Sequence, residues 1–274
     1  MILTFDVGNT SIAICGISSE GQKVHFLEHI ATALYEKKDG YLLALRNVLS
    51  KRKLYNKDIT GTIISSVVPG ANRPLLDAIY STTGTKAHTV SIDDETGLKL
   101  EKYDKNCLGI DRLVCAAAAM RHYGTPVMIY DLGTASTLSV VDKDSYFVGG
   151  SISPGVQLSL DALGDRCAKL PNYKACDMPL GSAIGSDAKE CMEIGAMIGT
   201  ASMIDGMMMR VRKSLGCEDD DLKVVITGGN APFVFPHLMD DRAVWDPYLI
   251  HKGLAYIFEL NHTDSDGYLY QMGS

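Results

Sequence analysis

An α/β protein made of two similar halves is the fold class that this sequence predicts. Three observations lead there. The chain has 274 residues, close to twice an average domain of about 150. Apolar stretches of strand length alternate with stretches of helical period. An internal echo opens each half: residues 2–10 read ILTFDVGNT and residues 126–135 read PVMIYDLGTA, which sets Asp6 and Asp131 125 residues apart. A repeat of this length indicates two similar domains rather than a solenoid. The boundary falls near residues 122–126, giving halves 1–123 and 124–274.

The elements follow in order. Ile2–Val7 is an apolar strand. Ile12–Ile17 and Lys23–Ile30 continue it as a meander, with turn residues at Gly8-Asn9 and Glu20-Gly21. Tyr41–Leu49 carries apolar residues at helical spacing. Thr62–Val68 is a β-branched run ended by Pro69-Gly70. Arg73–Tyr80 reads as helix and His88–Ile92 as a short strand. Ile110, Leu113, Val114, Ala117 and Ala118 stand at i, i+3, i+4, i+7 and i+8, an amphipathic helix. Gly124-Thr125-Pro126 breaks it. In the second half, Val127–Tyr130, Ser136–Val141 and Ser145–Val148 read as strands. Asp187–Leu215 lacks proline and is helical by period. Lys223–Thr227 is a strand running into Gly228-Gly229, and His251–Leu260 is the last helix. Glu218–Asp221 is an acidic loop, and residues 262–274 are a polar tail.

Composition excludes several classes. Hydrophobic residues make up 46% and charged residues 22%, so a packed core is expected. The net charge of −7 disfavours nucleic acid and anionic membrane surfaces as partners. The longest apolar run, Leu113–Met120, is far short of the roughly 20 residues of a membrane span. The opening Met-Ile-Leu-Thr-Phe-Asp has no basic region, so no signal peptide is expected. Seven irregularly spaced cysteines (15, 107, 115, 167, 176, 191, 217) without a CxxC pair fit reduced thiols in the cytoplasm. His25 and His29 lie on a strand, where a spacing of four does not by itself build a metal site. Six of the twelve methionines lie between 192 and 209, an adaptable core surface. Gly195 and Gly199 on the same helix would let another helix approach closely, from this chain or a second copy.

The echo itself points to anion binding. GxGxxG is absent and so is any Gly-Lys pair, which removes the P-loop. A strand that turns sharply at glycine can instead aim backbone N–H groups at an anion. Thr10 and Thr134 add hydroxyl donors, and Asp6 and Asp131 can hold a cation that balances phosphate charge. Asp-Gly turns are also common for purely structural reasons. Two of them, each ending a buried-looking strand and each opening a half, favour phosphate binding. Lys223–Asn230, KVVITGGN, adds a strand ending in Gly-Gly that suits a flat adenine ring. Leu108–Arg112, LGIDR, starts the amphipathic helix with Asp111 off its apolar stripe. The helix dipole favours an acid there. An aspartate so placed can equally accept a hydroxyl proton beside an arginine that holds an anion. Spacing alone does not choose between these.

Together these residues resemble the type III pantothenate kinases, of the acetate-and-sugar-kinase, Hsp70 and actin superfamily. The resemblance is carried by DVGNTSI (6–12), SSVVPG (65–70), LGIDR (108–112), DLGTAST (131–137), GGSISPGVQLSLDAL (149–163), VITGGNA (225–231) and DPYLIHKGL (246–254), in this order over nearly the whole chain. It implies two tandem ribonuclease-H-like (actin-like ATPase) domains with a nucleotide cleft between them. It implies phosphorylation of pantothenate by ATP, with Mg²⁺, in a cytoplasmic homodimer. The stretch Asp6, Val7, Gly8, Asn9, Thr10, Ser11, Ile12 and Ala13 would form the first phosphate segment, and Thr134 a second ATP contact. Asp131 would hold a monovalent cation, K⁺ or NH₄⁺. Asp111 would be the proton acceptor. Tyr103, Gly109, Ile110, Asp111 and Arg112 would line the pantothenate pocket, with Ala188 at a further substrate position.

Two departures stand out against that resemblance. The stretch from Tyr103 to Gly109 lacks the family's usual proline and is one residue shorter. Ala188 replaces a usual threonine, and a lost hydroxyl contact costs about 1–2 kcal/mol, roughly tenfold in affinity. These leave two rivals: a superfamily kinase for another small hydroxy acid, and a non-catalytic nucleotide-binding accessory protein.

Overall fold

The structure is a computed structural model and describes residues 1–19, 21, 23–175, 181–218 and 221–262. Cys176, Glu20 of the second expected turn, positions 219–220 of the acidic loop and the tail beyond residue 262 lie outside the described residues. The fold is mixed α/β and contains two five-stranded sheets.

The first sheet holds β1 (Ile2–Val7), β2 (Ser11–Ile17), β3 (Val24–Ala31), β4 (Gly61–Ser66) and β5 (His88–Thr89), in the order β3-β2-β1-β4-β5. The first three strands are antiparallel, and β4 and β5 join parallel. Alternation along β1 sends Leu3, Phe5 and Val7 to one face. There they pack with Tyr41 and Leu45 of α1 (Gly40–Lys51) and Leu75 and Ile79 of α2 (Pro69–Thr83). Ile2, with Cys15 and Ile63, meets Val114 and Ala117 of α3 (Ile110–Tyr123) on the other face. Pro69 does more than end a strand: it is the first residue of α2, where its missing N–H costs no helical bond. The strand expected over His88–Ile92 stops at Thr89. The Asp94 carboxylate draws in the Ser91 N–H at 3.0 Å and His88 Nε2 at 2.7 Å, which turns the chain.

The second sheet repeats the plan. It holds β6 (Val127–Leu132), β7 (Ala135–Val141), β8 (Phe147–Pro154), β9 (Lys223–Thr227) and β10 (Val244–Trp245). Their order, β8-β7-β6-β9-β10, reproduces the first sheet strand for strand, with the same antiparallel and parallel pairings. Even the irregularity in the second ladder recurs, between Gly16 and Ile17 and between Val140 and Val141, 124 residues later. β1 and β6 share one burial pattern along all six residues. These are the two tandem ribonuclease-H-like domains that the resemblance implied.

Met128, Tyr130 and Leu132 of β6 pack under α4 (Val156–Arg166) and α5 (Ala188–Leu215). Asp187 caps α5, its Oδ1 accepting the Glu190 N–H at 2.9 Å. Met192, Met197 and Met208 are buried in this core, whereas Met209 is exposed. β8 begins later than expected because Asp142 accepts the Asp144 and Tyr146 N–H groups and tightens the turn before it. A short α6 (Ala231–Val234) follows β9. The last helix, α7 (Leu249–His262), packs on β1, β2 and β4.

The compact units divide the chain differently from a single boundary after residue 123. One contains residues 1–98, 104–118 and those from Tyr248 onward; the other contains 99–103 and 119–247. No helix among the described residues is long and apolar enough to cross a membrane.

Candidate active site

Within the first unit, β1 ends on Asp6 and Val7 and the chain turns through Gly8, Asn9 and Thr10 into Ser11 of β2. The Gly8 N–H closes the turn on Ser11 O at 3.1 Å. Thr32, just past β3, braces it from outside: its Oγ1 donates to Gly8 O at 2.6 Å and its N–H to Thr10 O at 3.1 Å. Asn9, Thr10 and Ser11 are exposed, Val7 and Ile12 are buried, and Ala13 pairs opposite Asp6. The Asn9 and Thr10 amides have no hydrogen-bond partner among the described residues. Such a turn offers N–H and O–H donors to an anion.

Strand alternation puts the Asp6 side chain on the face that α3 and α7 cover. Ser65 of β4 lies beside it in register. Its hydroxyl is fully buried and has no partner among the described residues, a donor held in reserve next to the carboxylate. α3, on that same face, begins with the Gly-x-Asp-Arg stretch. Asp111 is half-buried, and its Oδ1 accepts the Arg112 N–H at 2.9 Å. A Cβ on Gly109 would lie 2.5 Å from that oxygen, so the glycine leaves the carboxylate its place. Ile110 is half-buried and Arg112 is only 7% exposed.

Within the second unit, Asp131 is half-buried at the end of β6, and the turn is Gly133-Thr134, one residue shorter than its counterpart. Its braces are more numerous. Gly155 N–H donates to Thr134 O at 2.9 Å, Asn230 Nδ2 to Gly133 O at 2.8 Å, and Asn230 N–H to Leu132 O at 2.8 Å. Gly228, at φ +93°, presses against the strand end: a Cβ there would lie 2.4 Å from Asp131 Oδ1. The Gly-Gly-Asn stretch therefore packs on the Asp131 hairpin. Asn230 also borders a cavity of about 720 Å³ lined by Gln157, Asp161, Asn172, Tyr173 and Phe233.

The remaining expected residues are also in the second unit. Tyr103 is half-buried, edge-on to Phe147 with ring centres 5.1 Å apart. Ala188 is exposed at the first position of α5. The sequence reading did not single out Thr32, Ser65, Gly155 or Asn230 as site residues. Motif membership of the last three was the available signal; Thr32 had none.

The donor set can be tested against the groups a nucleotide kinase needs. Among the described residues no three His, Cys, Asp or Glu side chains form a metal cage. Mg²⁺ bound with a nucleotide uses one or two carboxylates plus phosphate oxygens and water, which fits Asp6 with the open turn and the Ser65 hydroxyl beside it. For a monovalent cation, Asp131 offers a half-buried carboxylate at the strand end, against which Gly228 packs closely.

Comparison with known proteins gives a consistent result. The family model described as type III pantothenate kinase matches residues 2–210. A type III pantothenate kinase of Moorella thermoacetica is 31% identical over 262 residues, covering 95% of this chain and 100% of that protein. One from Roseiflexus sp. strain RS-1 is 32% identical over 263 residues, covering 96% and 100%. Among solved structures, a Baf family protein from Campylobacter jejuni matches with TM-score 0.54 at 17% identity, covering 93% of this chain and 96% of that one. An ethanolamine utilization protein from Carboxydothermus hydrogenoformans gives 0.51 at 17%, covering 93% and 89%. These two likenesses concern the fold alone.

Proposed function

We propose that this chain, which belongs to the type III pantothenate kinase family, transfers the γ-phosphoryl group of ATP to the primary hydroxyl of pantothenate, the step that opens coenzyme A synthesis. The family match over residues 2–210, which takes in both hairpins and Asp111, carries this reading.

The roles follow from chemistry. Phosphoryl transfer through a loose transition state demands orientation and charge balance more than covalent help. The Asp6–Ala13 hairpin supplies amides and hydroxyls to the phosphates, and Thr134 adds one more. Gly228–Asn230 and the adjoining cavity suit the adenosine. Gly109–Arg112 and, separately, Tyr103 keep the acceptor-binding roles that the family resemblance implies. Asp111 takes the hydroxyl proton as the oxygen attacks the γ-phosphorus. The bond from that phosphorus to the β–γ bridging oxygen breaks, and ADP leaves with the electron pair. Mg²⁺ at Asp6 and a monovalent cation at Asp131 would supply charge neutralisation of the phosphates. Ala188 offers no hydroxyl, so the substrate position it occupies contributes contact only. A homodimer acting in the cytoplasm completes the reading.

The test is direct. Purified protein with ATP, Mg²⁺ and K⁺ should make 4′-phosphopantothenate, and Asp111→Asn should lower kcat by about 10²–10⁴-fold. No product from the parent protein, together with no effect of the substitution on any ATP-dependent turnover, would sink the proposal.

A further inference from the structure

The short segment Lys99–Tyr103 is fastened to the second unit at several points, and all of them lie beside Tyr103. The Lys99 N–H donates to Ser145 O at 2.9 Å, and the Phe147 N–H donates back to Lys99 O at 2.9 Å. Lys102 Nζ reaches Asp142 Oδ2 at 2.7 Å. Asp142 is itself fixed: it is 9% exposed, and its Oδ1 accepts the Asp144 and Tyr146 N–H groups at 3.0 Å each. The ammonium groups of Lys102 and Lys99 stand over the Tyr146 ring, at 4.1 and 5.0 Å from its centre. Tyr103 then meets Phe147 edge-on. On its other contact, Gly149 at φ +122° lets the backbone run beneath the ring, where a Cβ would lie 3.6 Å from Tyr103 Cε2.

We propose that the Lys102–Asp142 pair is a positioning pair, which fixes the Tyr103 ring against Phe147 and Gly149 for the acceptor substrate. The inference rests on the reading of Tyr103 as a pantothenate contact. Lys102 is half-exposed, and an ion pair of that kind adds little to overall stability. Its effect here is orientation. Cutting it leaves the Lys99 backbone bonds and the Tyr103 N–H bond to Leu100 O at 3.1 Å in place but frees the side chain next to Tyr103 from Asp142, and the ring then spends only part of its time in the binding geometry. Apparent affinity falls by that fraction.

Steady-state kinetics of Lys102→Met should show the KM for pantothenate raised about 5–20-fold. The kcat and the KM for ATP should stay within about twofold, and the melting midpoint within a few degrees. Lys102→Arg keeps the charge and should recover most of the loss. An unchanged pantothenate KM in Lys102→Met would overturn the inference. So would equal rises in both KM values with a large drop in melting midpoint, which marks a purely structural pair. Tyr103→Ala separates the two layers. If it raises the pantothenate KM and Lys102→Met does not, only the positioning role fails. If Tyr103→Ala leaves that KM unchanged, the reading of Tyr103 fails and the positioning role with it. Additive effects in the double variant also refute it, because a residue acting through Tyr103 has nothing left to position.

Discussion

Gly155→Ala is the sharpest probe of the second hairpin, because two ordinary effects of the change oppose each other. Gly155 has φ −74° and ψ 172°, a conformation any residue adopts. Replacing glycine there should stabilise the protein by about 0.4–1 kcal/mol through the unfolded chain. The added methyl, however, would lie 2.2 Å from Gly133 O and 2.5 Å from Thr134 O. Both atoms are backbone, so no side chain can swing away. The turn must retreat by about 1 Å, and overpacking of this kind costs about 1–3 kcal/mol. The Gly155 N–H bond to Thr134 O stretches as well, at about 0.5–1.5 kcal/mol. The steric side wins by about 0.5–4 kcal/mol, and the midpoint should fall by roughly 1–16 °C. Since a displacement of about 1 Å in a positioning element can cost 10²-fold, kcat/KM for ATP should drop about 100-fold. Calorimetry and initial rates check both, with Gly70→Ala, an exposed helical site with open space around it, as the control that should gain stability. A Gly155→Ala protein as stable and as active as the parent would refute the view that this glycine sets the turn.

Two further predictions concern ionisation and ions. Burial, with a smaller contribution from His29, pushes His251 down to about 3, and its Nδ1 lies 2.8 Å from Thr4 Oγ1. The folded state keeps the ring neutral while the unfolded chain protonates below the ordinary histidine value of 6.5. The stability this contributes is complete above that pH and is lost as pH falls toward 3, at up to about 1.4 kcal/mol per pH unit. Urea midpoints across that window should fall more steeply in the parent than in His251→Gln; equal slopes would exclude the linkage. Asp131→Asn should reduce the response of the rate to added K⁺, with pantothenate KM unchanged, and a full K⁺ response in the variant would place the cation elsewhere.

Much of the fold was readable because the central strands are covered on both faces and so read as near-continuous apolar runs. Ile2–Val7 and Lys223–Thr227 are visible as written for that reason. The strand at His88 was overestimated because a single carboxylate, Asp94, captures the following backbone. β8 was underestimated because Gly149 and Gly150 carry no pattern. α7 was legible as a helix, but its apolar face says only that it needs a core, not that its core is the first sheet. The same limit applies to the site. Asp6, Asp131 and Asp111 announce themselves at the ends of elements. Their supports do not, because Thr32 meets Gly8 across 24 positions and Asn230 meets Gly133 across 97.

The duplicated scaffold carries unequal chemistry, which suggests a division of labour. The brace on Thr10 O from Thr32 has its counterpart on Thr134 O from Gly155, so the framework is common to both hairpins. On it, the first hairpin is longer and presents exposed Asn9, Thr10 and Ser11, with the buried Ser65 hydroxyl beside Asp6. That set suits phosphate oxygens. The second is shorter, and donors already occupy its Leu132, Gly133 and Thr134 carbonyls. Its strand end is packed closely by Gly228, where a Cβ would lie 2.4 Å from Asp131 Oδ1, so the half-buried carboxylate is held rigidly. On the proposed function, a chain of net charge −7 serves an anionic nucleotide with few basic side chains: dipoles would take the phosphates, and carboxylates would bring the cations that offset them.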